Sequence, residues 1–321
     1  MKRVLVTGAS GFVGAVLCDV LTQSGYVVRA AVRDADRTPN GVAERVVTGD
    51  LGADTPWHEA LDGVDSVIHL AARAHTLDHS RDSSALYMQA NAFATLNLAK
   101  QAAAARIRRF VFLSSVKVNG EATTTHPFNS SDEPRPRDAY GQSKWQGENF
   151  ALAVGEQTGM EVAIVRSPLV YGPGVKANFF RLMQWVDKER LLPLGSVCNK
   201  RSLVNIWNLC DLLRVTVASP SAPGRIWMVS DGEDLSTPEL VRKIASAMDR
   251  RARLLPVPVP VLQFLGSVLG YRAEMMRLCG SLVVDIVQTR SELGWSPPTP
   301  ATEALQRTVR WYEARLGSRV N

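Results

Sequence analysis

Through the first half of the chain, short β-branched runs alternate with stretches whose apolar residues recur every three or four positions. Arg3 to Thr7 reads as a strand. A helix follows, with Val13, Val16, Leu17, Val20 and Leu21 along one face and Gly25 to stop it. Val27 to Val32, Glu44 to Val47, Ser66 to Leu70, Arg109 to Leu113 and Val162 to Arg166 supply five more strands. An alanine-rich helix over Ala85 to Ala105 and a second over Tyr140 to Thr158 separate the later ones. Strands apolar on both faces belong in a parallel sheet covered by helices. The alternation predicts an α/β fold: a doubly wound parallel sheet of Rossmann type with right-handed crossovers.

After Tyr171 proline and glycine become frequent and Trp185, Trp207 and Trp227 appear. This change predicts a Rossmann domain over residues 1–170 and a smaller C-terminal α/β substrate lobe over 171–321. The segment around 202–218 is expected to return to the main sheet. At 321 residues, two lobes are the natural division. The apolar stretch from Pro256 to Leu269 contains Pro258 and Pro260, is too short to span a membrane, and predicts a buried helix.

Composition narrows the picture. Apolar residues make up 45% and charged residues 21%, ordinary for a folded globular chain. The net charge of +6 is scattered, and its tightest group, Arg250, Arg251 and Arg253, has no interleaved aromatics. No nucleic-acid partner is expected, whereas anionic small molecules fit the charge. Cys18, Cys198, Cys210 and Cys279 form no CxxC pair, so no metal site is expected. A reducing, cytoplasmic setting is expected.

Ligands of such sheets bind beyond the carboxyl ends of the strands, and the polar motifs lie there. Gly8, Gly11 and Gly14 in TGASGFVG follow a strand and open a helix. With Ser10, Phe12 and Val13 they form a loop that brings backbone N–H groups to a dinucleotide pyrophosphate. At the end of the second strand, RAAVRD places Val32 where an acid would select NAD, and Arg33 follows it. An arginine there can fork onto a 2′-phosphate, which favours NADP(H); Asp34, one residue on, keeps NAD(H) open. Asp50 and Leu51 follow the third strand and are placed around the adenine. Leu70, Ala71 and Ala72 follow the fourth and let the cofactor lie close.

Tyr140 and Lys144 in YGQSK stand one helical turn apart on one face. An ammonium near the phenol stabilises phenolate, so the tyrosine can exchange a proton with an alcohol or ketone. Lys144 can also hydrogen-bond the nicotinamide ribose. Ser115, just past the fifth strand, can bond the same substrate oxygen. Together they describe a hydride-transfer site.

These residues resemble the extended short-chain dehydrogenases/reductases. The likeness rests on TGASGFVG, Gly49 to Leu51 (GDL), His69 to Ala72 (HLAA), LSSVKVNG, YGQSK and VYGPG, and runs to about residue 295. It is strongest toward UDP-hexose 4-epimerases and bacterial nucleotide-sugar 4-reductases. The resemblance implies Ser115, Tyr140 and Lys144 as the catalytic group. It implies that Asn91 holds a water or the backbone behind Lys144, and that Pro168 and Val170 lie near the nicotinamide. It also implies that Asn178, Phe179 and Arg201 contact the nucleotide diphosphate of a UDP-sugar, and that the protein is a homodimer. Two departures stand out. Val116 and Lys117 occupy the positions where the family's dehydratases carry an acidic pair, which argues against dehydration. Asn119 replaces the usual tyrosine of that turn. With Arg33 favouring net oxidoreduction, the expected reaction is reduction of UDP-4-keto-6-deoxy-N-acetylglucosamine to UDP-N-acetylquinovosamine for surface polysaccharide. The alternatives are a UDP-hexose 4-epimerase with tightly held NAD, and a non-catalytic dinucleotide-sensing regulator.

Overall fold

The computed structural model describes residues 2–73, 81–268, 270 and 272–317. Strands β1 (Arg3–Thr7), β2 (Val27–Val32), β3 (Glu44–Val47), β4 (Ser66–His69), β5 (Arg109–Ser115) and β6 (Glu161–Ser167) appear where the apolar runs place them. They join β9 (Arg225–Met228) in a seven-stranded parallel sheet of order β3-β2-β1-β4-β5-β6-β9. Strands β7 (Leu169–Tyr171), β8 (Arg201–Asn205) and β10 (Asp234–Leu235) form a second sheet of order β10-β8-β7. Pro168 separates β6 from β7; without an N–H it cannot continue the ladder, and the strand breaks there.

The central strands of the main sheet send alternate residues into different cores. Val4 and Val6 pack with Leu17 and Cys18 of α1 (Phe12–Gln23) and with Leu209 and Leu213 of α7 (Ile206–Ala218). Leu5, Val67, Phe110 and Phe112 pack on the opposite face with Leu98 of α4 (Ala94–Ala104) and Ala151 of α5 (Ala139–Thr158). Burial on both faces is why these runs carry no polar alternation. A third core gathers Tyr171, Phe179 and Leu182 with residues of α6 (Ala177–Asp187), α8 (Thr237–Ala247) and α12 (Ala301–Gly317).

Three expectations change. The alanine-rich helix is split: α3 (Arg81–Tyr87) leads into a π-helical stretch, Met88–Phe93, before α4 begins. Asn91, buried in that stretch, bonds outside its helix, which a regular α-helical register would not require. In the segment 202–218, α7 covers the main sheet beside α1, but β8 enters the small sheet; the added main-sheet strand is β9. The apolar run that includes α9 (Val259–Val268) is not buried: Phe264 and Val268 are 68% and 67% exposed, because the helix lies on the surface and covers only Leu262 and Gly266. Leu269 lies outside the described residues.

Arg109, fully buried at the start of β5, ties α7 to the sheet. Its guanidinium donates to the carbonyls of Thr216 and Val217 at 2.9 and 3.1 Å, satisfying the helix end, and pairs with Glu161 at 2.7 Å.

Gly14 closes the turn on which α1 rests. A Cβ there would lie 2.2 Å from the Gly8 carbonyl oxygen and 2.7 Å from Ala9 Cα, both backbone atoms. Gly14→Ala should destabilise the fold by about 1–3 kcal/mol, as overpacking does. Urea denaturation checks this; an unchanged midpoint would show that the turn relaxes freely.

Candidate active site

The order of the main sheet reverses between β1 and β4, so the loops after these strands open a crevice at their carboxyl ends. Gly8 takes φ +67°, and a Cβ on it would lie 2.9 Å from the backbone of Ala71. The glycine loop therefore presses directly against the loop after β4. The Gly11 N–H donates to the Gly8 carbonyl at 2.9 Å. Helix α1 has no side-chain cap and no acid in its first turn. This N-terminus, with Ser10, Phe12 and Val13 in the same turn, suits a pyrophosphate. The residues present therefore fit a dinucleotide.

Beneath the loop runs a buried chain of polar groups. The Ala71 N–H donates to Thr7 Oγ1 at 3.3 Å, and Thr7 Oγ1 lies 2.6 Å from His69 Nδ1. His69 Nε2 lies 3.0 Å from Thr95 Oγ1, which donates to the Asn91 carbonyl at 2.5 Å. The Thr95 proton is thereby committed, so His69 carries its proton on Nε2 and accepts from Thr7 at Nδ1. Burial, then the charge of Lys144, pushes His69 down to about 3, so it stays neutral. Asn91 continues the chain: its side chain bonds the Arg73 N–H and carbonyl at 2.7 and 3.1 Å and donates to Ser143 Oγ at 2.9 Å. Ser143 in turn donates to the Tyr140 carbonyl at 2.8 Å. Asn91 thus holds the Arg73 backbone and helix α5 together.

Beyond the ends of β2 and β3, where the adenine was expected, Arg33 and Asp50 form an exposed ion pair at 2.8 Å. Asp34 is occupied otherwise, capping the turn over Ala35–Arg37. Leu51 packs partly against the helical core and Leu70 against the opposite one. Ala72 is exposed, Pro168 buried and Val170 half-buried.

Ser115 ends β5, and Tyr140 and Lys144 stand on the first turns of α5, whose N-cap Asp138 accepts from the Gly141 N–H at 2.7 Å. Tyr140 is hydrogen-bonded to Ser115 and lies edge-on to Tyr87, ring centroids 6.1 Å apart. Its phenol is pushed up to about 12 by burial, then by Asp138 and Tyr87, while the Ser115 bond works the other way. The expected lowering by Lys144 is not seen: the ammonium sits 3.9 Å from the centroid of Phe112 instead. Burial pulls Lys144 down to about 7, against the opposing pull of Glu148.

Several residues escaped the sequence reading. Glu148, one turn beyond Lys144, forms a buried two-point pair with Arg166 at 2.9 and 2.6 Å. Arg166 also donates to Asn119 at 3.1 Å, and Asn119 donates to the Asn129 carbonyl at 2.9 Å. Asn119 is therefore an anchor of that turn. The signals were an acid at helical spacing from Lys144 and an arginine inside an otherwise apolar strand.

The residues expected on the substrate side are spread. Asn178 is exposed at the start of α6. Phe179 is 4% exposed and stacks on Tyr171 at 5.3 Å, so only its backbone is free for a ligand. Arg201 donates to the carbonyls of Arg277 and Gly280 at 2.7 and 3.1 Å. Burial lowers its proton affinity, Glu121 opposing and Arg277 adding to the effect. Arg277, of α10 (Arg272–Cys279), was not anticipated. Among the described residues no helix is long and apolar enough to cross a membrane.

A glycine-loop crevice bordered by a serine, a tyrosine and a lysine on these elements defines a dinucleotide-dependent enzyme of the extended short-chain dehydrogenase/reductase type. The chain belongs to the NAD dependent epimerase/dehydratase family, whose sequence profile matches residues 4–229. It is 43% identical over 315 residues to the UDP-glucose 4-epimerase of Vibrio cholerae, covering 97% of this chain and 95% of that one. Among solved structures it resembles a UDP-glucuronic acid 4-epimerase from Bacillus cereus in complex with NAD, at TM-score 0.80 and 19% identity, covering 98% and 99% of the two chains. It also resembles MoeE5 in complex with UDP-glucuronic acid and NAD, at TM-score 0.79 and 25% identity, covering 98% and 100%.

Tyr140→Phe should abolish turnover while bound dinucleotide, measured after denaturing extraction, stays near the parent level. Retained activity would remove Tyr140 as the proton-transfer group. A second expectation concerns Lys144, held near 7 in the fold against an ordinary value of 10.5. Between these values the unfolded chain binds the extra proton, so the residue's contribution to stability is lowest near pH 7 and rises as pH climbs toward 10.5. The stability of the cofactor-free parent relative to Lys144→Met should therefore increase from pH 7 to 10. Urea denaturation at both values measures it; a constant difference would mean an unshifted lysine.

Proposed function

We propose that this protein is a UDP-hexose 4-epimerase that keeps NAD bound through its catalytic cycle. The observation that carries this reading is the 43% identity to the Vibrio cholerae UDP-glucose 4-epimerase over nearly the whole of both chains, and the hydrogen bond between Ser115 and Tyr140 supports it. MoeE5, bound to UDP-glucose and NAD, supports the same ligand classes. These comparisons weigh toward epimerisation and away from the net reduction expected from Arg33 alone.

Tyr140 takes the proton of the C4 hydroxyl and later returns it. Ser115 donates to the same oxygen as it gains carbonyl character, and Lys144, its ammonium resting on Phe112, hydrogen-bonds the nicotinamide ribose. When bound, the nicotinamide supplies the hydride acceptor and donor. The apolar walls around Phe112 keep Lys144 dry and its field strong. Val116 and Lys117 stand where dehydration would require an acidic pair, so that branch of the family's chemistry lacks its general acid and base.

A second reading retains one favourable observation. Arg33 follows β2 with no acid before it, which suits NADPH-dependent reduction of a UDP-4-keto-6-deoxy-N-acetylhexosamine. Against it, the guanidinium is already paired with Asp50. We infer NAD as the working cofactor, a homodimer, and a cytoplasmic location.

The purified protein should release NAD on denaturation and interconvert UDP-glucose and UDP-galactose, or their N-acetylated forms, with no net change at 340 nm. Arg33→Ala should leave that activity within about threefold, as loss of an exposed pair would. Stoichiometric NADPH oxidation on adding the 4-keto-6-deoxy sugar, with no epimerisation, would establish the reductase instead. Light scattering reports the oligomer.

A further inference from the structure

Lys117 replaces an acid expected from the resemblance, and its atoms reach the Ser115 hydroxyl, the first turn of the Tyr140 helix and the cap of that helix. Its backbone N–H donates to Ser115 Oγ at 3.3 Å. Its carbonyl oxygen lies 2.9 Å from where a Cβ on Gly141 would stand, so the turn after β5 is packed directly on the first turn of α5. Its ammonium is ion-paired with Asp138, and with Glu121 at 3.1 Å. Asp138 uses its other oxygen to cap α5 two residues before Tyr140. The Lys117 side chain is 17% exposed and its partners Asp138 and Glu121 are 37% and 30% exposed, so the pairs are partly screened.

We propose that Lys117 is a positioning residue: it staples the Ser115 turn to the capped N-terminus of the Tyr140 helix and so sets the Ser115–Tyr140 approach. Because Ser115 Oγ accepts from the Lys117 N–H, its own proton is directed outward, toward Tyr140 or a substrate oxygen. The Lys117 ammonium also compensates the Asp138 carboxylate, whose charge opposes ionisation of Tyr140. Among the described residues, the groups acting on Tyr140 include Asp138 from the helix cap, Tyr87 from α3 and Ser115 from β5, with Lys117 and Glu121 paired around Asp138 and Lys144 turned to Phe112. The chain thus carries a cation where dehydration would need a proton-transfer acid, and uses it to align the groups that remain.

The inference rests on Tyr140 being the proton-transfer group, and its test separates the two. In the dinucleotide-bound protein, Lys117→Met should lower kcat by about 10- to 100-fold, the scale of a small misalignment, with KM and bound dinucleotide little changed. Lys117→Arg should recover most of the loss. Ultraviolet difference titration, with Tyr140→Phe as the blank, needs no substrate and reads Tyr140 directly: its midpoint should rise in Lys117→Met. Asp138→Asn should lose activity through the same contact, so Lys117→Met/Asp138→Asn should be no worse than the poorer single variant. An unchanged tyrosine midpoint, fully additive losses, or kcat within twofold of the parent would each overturn the staple. Full activity in Tyr140→Phe would overturn the proton-transfer assignment instead.

Discussion

A lysine buried to 1% exposure, with its ammonium against an aromatic face, governs this structure. An unpaired buried charge costs several kcal/mol, so the fold must either compensate Lys144 or let it lose its proton. It does some of both. Phe112 offers the negative face of its ring, and Glu148, one turn along α5, supplies a carboxylate. That carboxylate is itself buried and is held by Arg166, which Asn119 steadies in turn. Strand β6, helix α5 and the turn after β5 are locked into one unit as a consequence. The unit stands on the β5 side of the crevice.

The opposite wall is held by neutral hydrogen bonds. The route from Ala71 through Thr7, His69 and Thr95 to Asn91, then through Ser143 to the Tyr140 carbonyl, joins the loops after β1 and β4 to helix α5 without a formal charge. An imidazolium at His69 would add a second positive charge beside Lys144, since the His69 and Phe112 rings stack at 5.5 Å and the ammonium lies 3.9 Å from the same Phe112 centroid. Burial and that repulsion act in the same direction. One cation is therefore allowed in the floor of the site, and it is Lys144. The serine turn and the tyrosine helix then meet over this floor, with Lys117 and Asp138 at their junction.

The six leading strands and the glycine loop were legible because their signals are local. An apolar run buried on both faces reads the same in any context, and a strand–glycine–helix sequence declares its own turn. The places of Ser115, Tyr140 and Lys144 on β5 and α5 were legible for a similar reason: one ends a strand and two stand one turn apart on a helix. The small sheet was not legible. Its strands are three, five and two residues long, and their pairing joins residues as distant as Ser202 and Asp234. The π-helical stretch was hidden too, because Asn91 leaves the α-helical pattern for a partner, Arg73, on a different element. The outward-facing α9 was misread because apolar content does not say which side another element will cover.

From the chain's own order of residues came the fold class, the crevice and the identity of the three groups at its edge, since each rests on neighbours within a few turns or one strand. Tertiary structure decided their electrostatic state. Whether Lys144 lowers Tyr140 or rests on Phe112, whether Arg33 is open or paired, and whether Lys117 faces solvent or Asp138 depend on contacts between segments far apart in sequence. Charge interactions fall with distance and strengthen with burial, and both are properties of the folded molecule alone.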